Sequence, residues 1–264
     1  MHMTLKIGGF LSVLIAGIFF LASPSYAATY TICDVGCDYT TLNDAISFDT
    51  PGQDTYRLST GYNYLFPPES NFFSLPDDTI IECDPGVTFG DDASASNFFN
   101  VGSNNTFQNC LFENTSFDAS GKTDVSWLNN TFSTGTSMQI TLTFTSGFTI
   151  TDNTRIQHIQ IQNADDGLIK DNTFECWFGS NCIYLGTAGG GPFDYTDPAD
   201  VPNDIVINNN VITNHNYTTG GDFVQFGSGL NISYTSNTLQ SIQTDDNFIV
   251  MLTAEIGTYY LAGN

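Results

Sequence analysis

Asp152, Asp165, Asp166 and Asp171 lie close together in the chain, with Arg155 and Lys170 interleaved among them. Polysaccharide hydrolysis requires two carboxyl groups at a defined separation, one acting as general acid and one as base or nucleophile. Two carboxylates about 5 Å apart push one pKa upward, which suits an acid and equally suits a Ca²⁺ site. These six residues are therefore the candidate catalytic set. The competing reading is that the carboxylates are solvated turn residues and the two cations merely offset them.

A second grouping points to binding. Asp194, Asp197 and Asp200 recur at every third position beside Phe193 and Tyr195, and Trp177 lies upstream. Aromatic faces stack on sugar rings, and clustered carboxylates order loops around Ca²⁺. Trp177, Phe193 and Tyr195 are the candidate substrate contacts, Asp194, Asp197 and Asp200 the candidate metal ligands, and Ca²⁺ the one cofactor the sequence suggests. The spacing is not that of an EF-hand, and an acidic loop with its aromatics packed on the strands below would look the same.

The charge balance narrows the partners. Against 28 Asp and Glu the 264 residues carry 5 Lys and Arg, giving a formal net charge of −23. Binding to nucleic acid or an anionic membrane needs cations that neutralise phosphates, and beyond Lys6 only Arg57, Lys122, Arg155 and Lys170 exist. Nucleic acid and anionic membrane surfaces are poor candidates on that ground.

Residues 1–27 read as a secretory signal peptide: Lys6 precedes the apolar run Ile7 to Leu21, and Ser25-Tyr26-Ala27 supplies small residues before a cut. A retained anchor is the alternative, although the run falls short of the roughly 20 residues a spanning helix wants. The expectation is a secreted or cell-surface protein with no membrane insertion after signal cleavage. Six cysteines suit an oxidising compartment. Cys33/Cys37 and Cys176/Cys182 are close enough to close local loops, which leaves Cys83 and Cys110 to join two segments, one connectivity among the many that six cysteines allow. Zinc is disfavoured because no Cys-x-x-Cys occurs and only His158 and His215 remain after cleavage.

The elements that must position these residues come from a repeat. A phrase of the form apolar-polar-polar-Asn-x-apolar recurs around Asn109, Asn130, Asn153, Asn172, Asn210 and Asn237, with a loose period of about 20 residues and one long interval. Within each unit β-branched and aromatic residues alternate with polar ones, as in Asp204-Ile205-Val206-Ile207-Asn208, which is strand periodicity. Short strands at this period with no helices between them suit a solenoid whose rungs stack roughly 4.8 Å apart. Asn tolerates left-handed backbone at sharp corners and hydrogen-bonds to stacked copies of itself, so the repeated Asn residues read as corner residues and not as catalysts. If Asn153 stacks on Asn172, Asp152 lies one rung from Asp171 and Thr151 one rung from Lys170. Asp165 and Asp166 then sit in the turn leading into the same coil.

Two stretches carry a resemblance to a known family. Ala164-Asp165-Asp166-Gly167-Leu168-Ile169-Lys170-Asp171-Asn172-Thr173-Phe174 resembles a coil of the right-handed parallel β-helix proteins of the pectate-lyase-like superfamily, and Tyr30 to Ile46 is similar to the strand and short helix that close the first coil of its secreted members. The resemblance implies an all-β, right-handed parallel β-helix with a short N-terminal capping helix. About seven coils begin near residues 79, 103, 124, 146, 166, 204 and 229. The expected domains are 28–50 for the strand and cap helix and 51–264 for the β-helix, with a loop insertion at 187–203. Thr40 or Thr41 can serve as N-cap, with Leu42, Ala45 and Ile46 as the apolar face. Residues 52–78 read as an irregular flap. Phe248 to Leu252 reads as a buried strand whose uncapped edge invites an end-to-end oligomer.

For activity the resemblance implies less. Of the polygalacturonase-like motifs only Asp165-Asp166-Gly167 is present; Gly-His-Gly is absent and Arg155-Ile156-Gln157 lacks the final Lys. Pectate lyases use Arg as the base with Ca²⁺ bridging the uronate, whereas the net negative field of this chain repels uronates and leaves neutral glycans as easier partners. The functional reading is a secreted protein that binds extracellular or cell-surface carbohydrate. The alternative is a divergent polysaccharide-degrading glycoside hydrolase or lyase using the Asp cluster. Asn-x-Ser/Thr sequons at Asn104, Asn114, Asn129, Asn216 and Asn231 follow from composition. Thr141-Leu142-Thr143-Phe144-Thr145 has the look of an ice-binding Thr ladder but does not recur on neighbouring coils.

Overall fold

The structure, a computed structural model, describes residues 27–47, 54–59, 63–64, 72–90, 97–133, 138–176, 181–188, 197, 199–214, 224–241, 249–251 and 259–262. The segment read as a signal peptide therefore lies almost wholly outside the described residues. No helix among them is long and apolar enough to cross a membrane.

Strand β1 (Thr29–Ile32) and helix α1 (Leu42–Ser47) precede the coils. The first coil is β2 (Asp54–Leu58), β3 (Asn63–Tyr64) and β4 (Phe72–Ser74), the second β5 (Thr79–Cys83), β6 (Thr88–Phe89) and β7 (Asn97–Asn100). Next come β8 (Thr106–Gln108), β9 (Leu111–Phe112) and β10 (Thr115–Asp118), then β11 (Ser126–Leu128), β12 (Thr131–Phe132) and β13 (Gln139–Thr143). The fifth coil is β14 (Thr149–Thr151), residues 154–156 and β15 (His158–Gln162), the sixth β16 (Asp165–Lys170), β17 (Thr173–Cys176) and β18 (Ile183–Gly186). The last two are β19 (Asn203–Asn208), β20 (Val211–Asn214), β21 (Val224–Phe226) and β22 (Ile232–Thr235), β23 (Thr238–Ser241), β24 (Ile249–Met251), followed by β25 (Tyr259–Ala262). Every pairing is parallel, and like strands of successive coils stack into a ten-stranded sheet, an eight-stranded sheet and a third face split into four-stranded and three-stranded parts. This is a parallel β-helix.

Alternation of side chains along each strand fills the interior one rung at a time. Tyr56, Ile81, Phe107, Trp127, Ile150, Ile169, Ile207 and Tyr234 form one fully buried column under the ten-stranded sheet. Phe99, Phe117, Ile140, Ile159, Ile183 and Val224 form its counterpart under the eight-stranded sheet.

Among the described residues the strands group into eight successive coils, whereas the repeat suggests about seven. The additional coil, β2 to β4, falls in the segment read as an irregular flap. Asp54-Thr55-Tyr56-Arg57-Leu58 alternates buried and outward positions, but no Asn marks its corner. Helix α1 has the expected start, with Thr41 rather than Thr40 as the cap: the Asp44 N–H donates to Thr41 Oγ1 at 3.0 Å and the Thr41 hydroxyl to Asp44 Oδ2 at 2.7 Å. Leu42 and Ala45 are buried, and Ile46 packs against the core. Disulfides join Cys33 to Cys37, Cys83 to Cys110 and Cys176 to Cys182.

The Asn residues divide into two roles where the repeat suggests one. Asn130, Asn153, Asn172, Asn210 and Asn237 are buried and form a ladder in which, from Asn153 onwards, each Oδ1 accepts from both the backbone N–H and the Nδ2 of the preceding coil's Asn. Left-handed backbone falls instead on the residue before each: Asn129, Asp152, Asp171, Asn209 and Ser236, with φ between 54° and 58°. Asn109 belongs to this corner column and not to the ladder, since Asn129 Nδ2 donates to Asn109 Oδ1 at 2.8 Å. Cys110 holds the ladder position in that coil, its N–H donating to Asn130 Oδ1 at 3.0 Å.

Candidate functional site

Register decides which of the proposed catalytic residues meet. Thr151 pairs with Lys170, and Asn153 hydrogen-bonds to Asn172, so Asp152 and Asp171 are rung neighbours. Asp165 and Asp166 open β16 while Asp171 follows its end. At about 3.3 Å per residue, Asp166 and Asp171 stand about 17 Å apart, well beyond the separation that glycoside hydrolysis uses. The four carboxylates and Lys170 thus divide between two corners of the ten-stranded sheet, while Arg155 lies beyond β14 on the third face. Asp166 occupies the second left-handed column of that sheet, with Asp78, Asn104, Asp124, Gly147, Asp204 and Asn231.

The cations are engaged locally. Lys170 Nζ lies 3.1 Å from Asp171 Oδ2, and Arg155 Nε lies 3.5 Å from Glu175 Oε1. Both pairs are exposed enough to contribute little to stability. Hydrogen bonds from Asn209 Nδ2 and then from Lys170 hold the Asp171 carboxyl below the usual carboxylate range.

Of the insertion residues, Trp177, Phe193, Asp194 and Tyr195 lie outside the described residues. Asp197 and Asp200 are described. Asp197 Oδ1 accepts from the Ala199 N–H at 3.0 Å and its carbonyl from the Asp200 N–H at 3.0 Å, so this pair shapes a turn. Among the described residues no three His, Cys, Asp or Glu side chains converge as metal ligands. The insertion is tied down at both ends by Asn163, whose Oδ1 accepts from the Ala188 N–H at 2.6 Å and whose Nδ2 donates to the Asp200 carbonyl.

A different arrangement covers the outer face of the eight-stranded sheet. One outward column runs Asp118, Thr141, Gln160, Tyr184, Gln225 across β10, β13, β15, β18 and β21, and beside it runs Thr143, Gln162, Gly186. The ring of Tyr184 lies along the strand over Gly186: a β-carbon at Gly186 would sit 2.3 Å from its hydroxyl oxygen and 2.6 Å from Cζ. Glycine at this position leaves the space that the outer end of the Tyr184 ring occupies.

Amides surround the ring. Gln139 Nε2 donates to Gln160 Oε1, the Thr143 hydroxyl to Gln162 Oε1 at 3.3 Å, Gln162 Nε2 to the Thr187 carbonyl at 3.2 Å, and Asn181 Nδ2 to Gln225 Oε1. His158 Nδ1 donates to the Asn181 carbonyl, and burial lowers the pKa of this ring, favouring its neutral form. Among the described residues, the outward positions of this face from Thr141 to Gln225 thus carry no charged side chain, Asp118 standing at the N-terminal end of the column, although the chain carries −23. At the N-terminal margin the half-exposed Phe72 stacks on the partly buried Phe98 at 5.6 Å. The residue types and spacing single out Thr141 and Thr143 only as part of a Thr run and His158 only as a disfavoured zinc ligand, and they nominate neither Tyr184 nor the amides, because Gln carries no catalytic chemistry. The usable signal was the period-two alternation in His158-Ile159-Gln160-Ile161-Gln162 and Ile183-Tyr184-Leu185-Gly186.

No protein-family model matches the chain, and no curated protein matches it in sequence. Among solved structures it is similar to two of PfbA, a surface adhesin of Streptococcus pneumoniae. The first shares 14% identity over 78% of this chain and 76% of that one, with a TM-score of 0.38; the second shares 13% over 84% and 90%, also at 0.38.

Proposed function

We propose that this β-helix is a secreted or cell-surface protein that binds neutral carbohydrate along the outer face of its eight-stranded sheet. The observation that carries the reading is the Tyr184 ring laid over Gly186 among Gln160, Gln162 and Gln225. A sugar offers a hydroxyl rim and an apolar ring face. Amides serve the first as donors and acceptors, and a flat phenol serves the second. Uncharged side chains at the described outward positions from Thr141 to Gln225 suit a neutral glycan, since none of these residues offers a cation to a uronate. Three disulfides support an oxidising compartment.

The test is a panel of neutral and uronate-containing glycans offered to the protein with and without Ca²⁺, scoring binding and cleavage separately. Neutral glycans are expected to bind, and Tyr184→Ala should weaken them about tenfold, the scale of one aromatic contact. Gly186→Ala should act similarly by displacing the ring, with little loss of stability because the displaced atoms are the mobile end of a side chain. Uronate preference, or binding indifferent to Tyr184, would overturn the assignment.

A further inference from the structure

The corner between the eight-stranded and ten-stranded sheets contains one residue that its geometry does not favour. The Gly121 N–H donates to the Thr143 carbonyl at 2.7 Å and the Phe144 N–H to the Gln162 carbonyl at 2.9 Å, which stacks Gly121, Phe144 and Asn163 at equivalent positions on three coils. All three adopt left-handed backbone, with φ of 70°, 53° and 49°. Glycine and asparagine adopt that conformation readily; a bulky aromatic does so only against strain. Packing does not compensate Phe144, since it is 57% exposed. It gives up backbone comfort without gaining burial, and such outliers cluster at ligand contacts.

Its neighbours place it at the C-terminal margin of the neutral face. Thr143 immediately precedes it and hydrogen-bonds to Gln162, which pairs with Gly186 under the Tyr184 ring. Resting on the glycan reading above, we infer that Phe144 is a ligand-contacting aromatic, a second stacking platform that engages a sugar unit beyond the one over Tyr184 and so favours oligosaccharides over monosaccharides.

Asparagine already occupies the equivalent corner in the next coil, so Phe144→Asn removes the ring and relieves the backbone together. The full mature chain carrying Phe144→Asn, Phe144→Trp or Tyr184→Ala would be compared with the parent by thermal melting, by sedimentation equilibrium and by calorimetry with a neutral oligosaccharide and its monosaccharide. Phe144→Asn is expected to melt at or above the parent temperature and to lose about tenfold in oligosaccharide affinity, with monosaccharide affinity unchanged. Phe144→Trp is expected to retain binding. A lower melting temperature for Phe144→Asn assigns Phe144 a packing role and overturns the inference. Loss of a self-associated species in that variant also overturns it, in favour of contact with a second copy. Unchanged oligosaccharide affinity in Phe144→Asn alongside loss in Tyr184→Ala sinks this inference and leaves the glycan face standing. Failure of the parent to bind any neutral glycan sinks both.

Discussion

Replacing Asn153 by alanine tests the central claim about how the coils are held in register. Asn153 is fully buried. Its Nδ2 donates to the Trp127 carbonyl at 2.8 Å, the Thr151 carbonyl at 2.9 Å and Asn172 Oδ1 at 3.0 Å, and its Oδ1 accepts from the Asn130 N–H at 2.9 Å and Asn130 Nδ2 at 3.0 Å. Several groups keep other partners after truncation: Asn130 Nδ2 retains the Phe107 carbonyl, the Thr151 carbonyl retains the Asn129 N–H, and Asn172 Oδ1 retains the Asn153 N–H. The Asn130 N–H loses its acceptor inside the coil, the Trp127 carbonyl loses a donor, and a small void opens. An orphaned buried donor costs about 1–3 kcal/mol and each lost neutral bond about 1 kcal/mol, which brings the total to about 3 kcal/mol. For a chain of this size that lowers the melting temperature by about 6–12 °C. Asn129→Gly is the control. It deletes only an exposed corner bond to Asn109 and places glycine where φ is 54°, so it should shift melting by less than about 2 °C. Hydrogen exchange at the Asn130 amide should accelerate in Asn153→Ala and not in the control. Equal melting temperatures for the two variants, or a protected Asn130 amide in Asn153→Ala, would refute the ladder as the register device.

Two further outcomes follow from single contacts. Removing the Cys83–Cys110 disulfide with paired alanines should cost about 3–4 kcal/mol, because the bridge closes a loop with a sequence separation of 27 between adjacent coils; a urea midpoint unchanged from the parent would contradict that. Asn209→Ala should raise the Asp171 pKa toward its ordinary value in an NMR titration, since the Asn209 hydrogen bond is the largest cause of its depression. A depressed carboxyl stabilises the fold above its unfolded pKa, and that contribution fades as pH falls through the folded value, so the variant should lose it.

What the sequence disclosed depended on how strictly geometry constrains residue type. The ladder amide needs a buried side chain that is both donor and acceptor, so Asn recurs and the solenoid is visible from it. Disulfide pairing was visible for the same reason, since two pairs are local and one remains. The coil at Asp54–Ser74 was hidden because its alternation is built from Thr, Tyr, Arg and Leu without an Asn at the corner. Asn109 was assigned to the ladder because its neighbour Cys110 fills that position. The neutral face was hidden for a different reason: outward positions of a strand tolerate many residues, and only three-dimensional register brings Tyr184, Gly186, Gln160 and Gln225 together.

The same geometry accounts for where much of the negative charge sits. Asp78, Asp124, Asp152, Asp166, Asp171 and Asp204 all occupy left-handed corners, a conformation that Asp and Asn tolerate and most residues do not. Chemistry-bearing residues are thus drawn to corners by backbone demands, which is why a carboxylate cluster in the sequence separates by the length of a strand on folding. A corner carboxylate satisfies the turn as well as an amide does, and it adds solubility and repulsion of anions. Outward strand positions carry no such backbone demand, and there the eight-stranded sheet presents amides with the Tyr184 ring over Gly186. The corner carboxylates thus report on how the chain turns, and the outward strand positions, free of that demand, are where the proposed glycan contacts are tested.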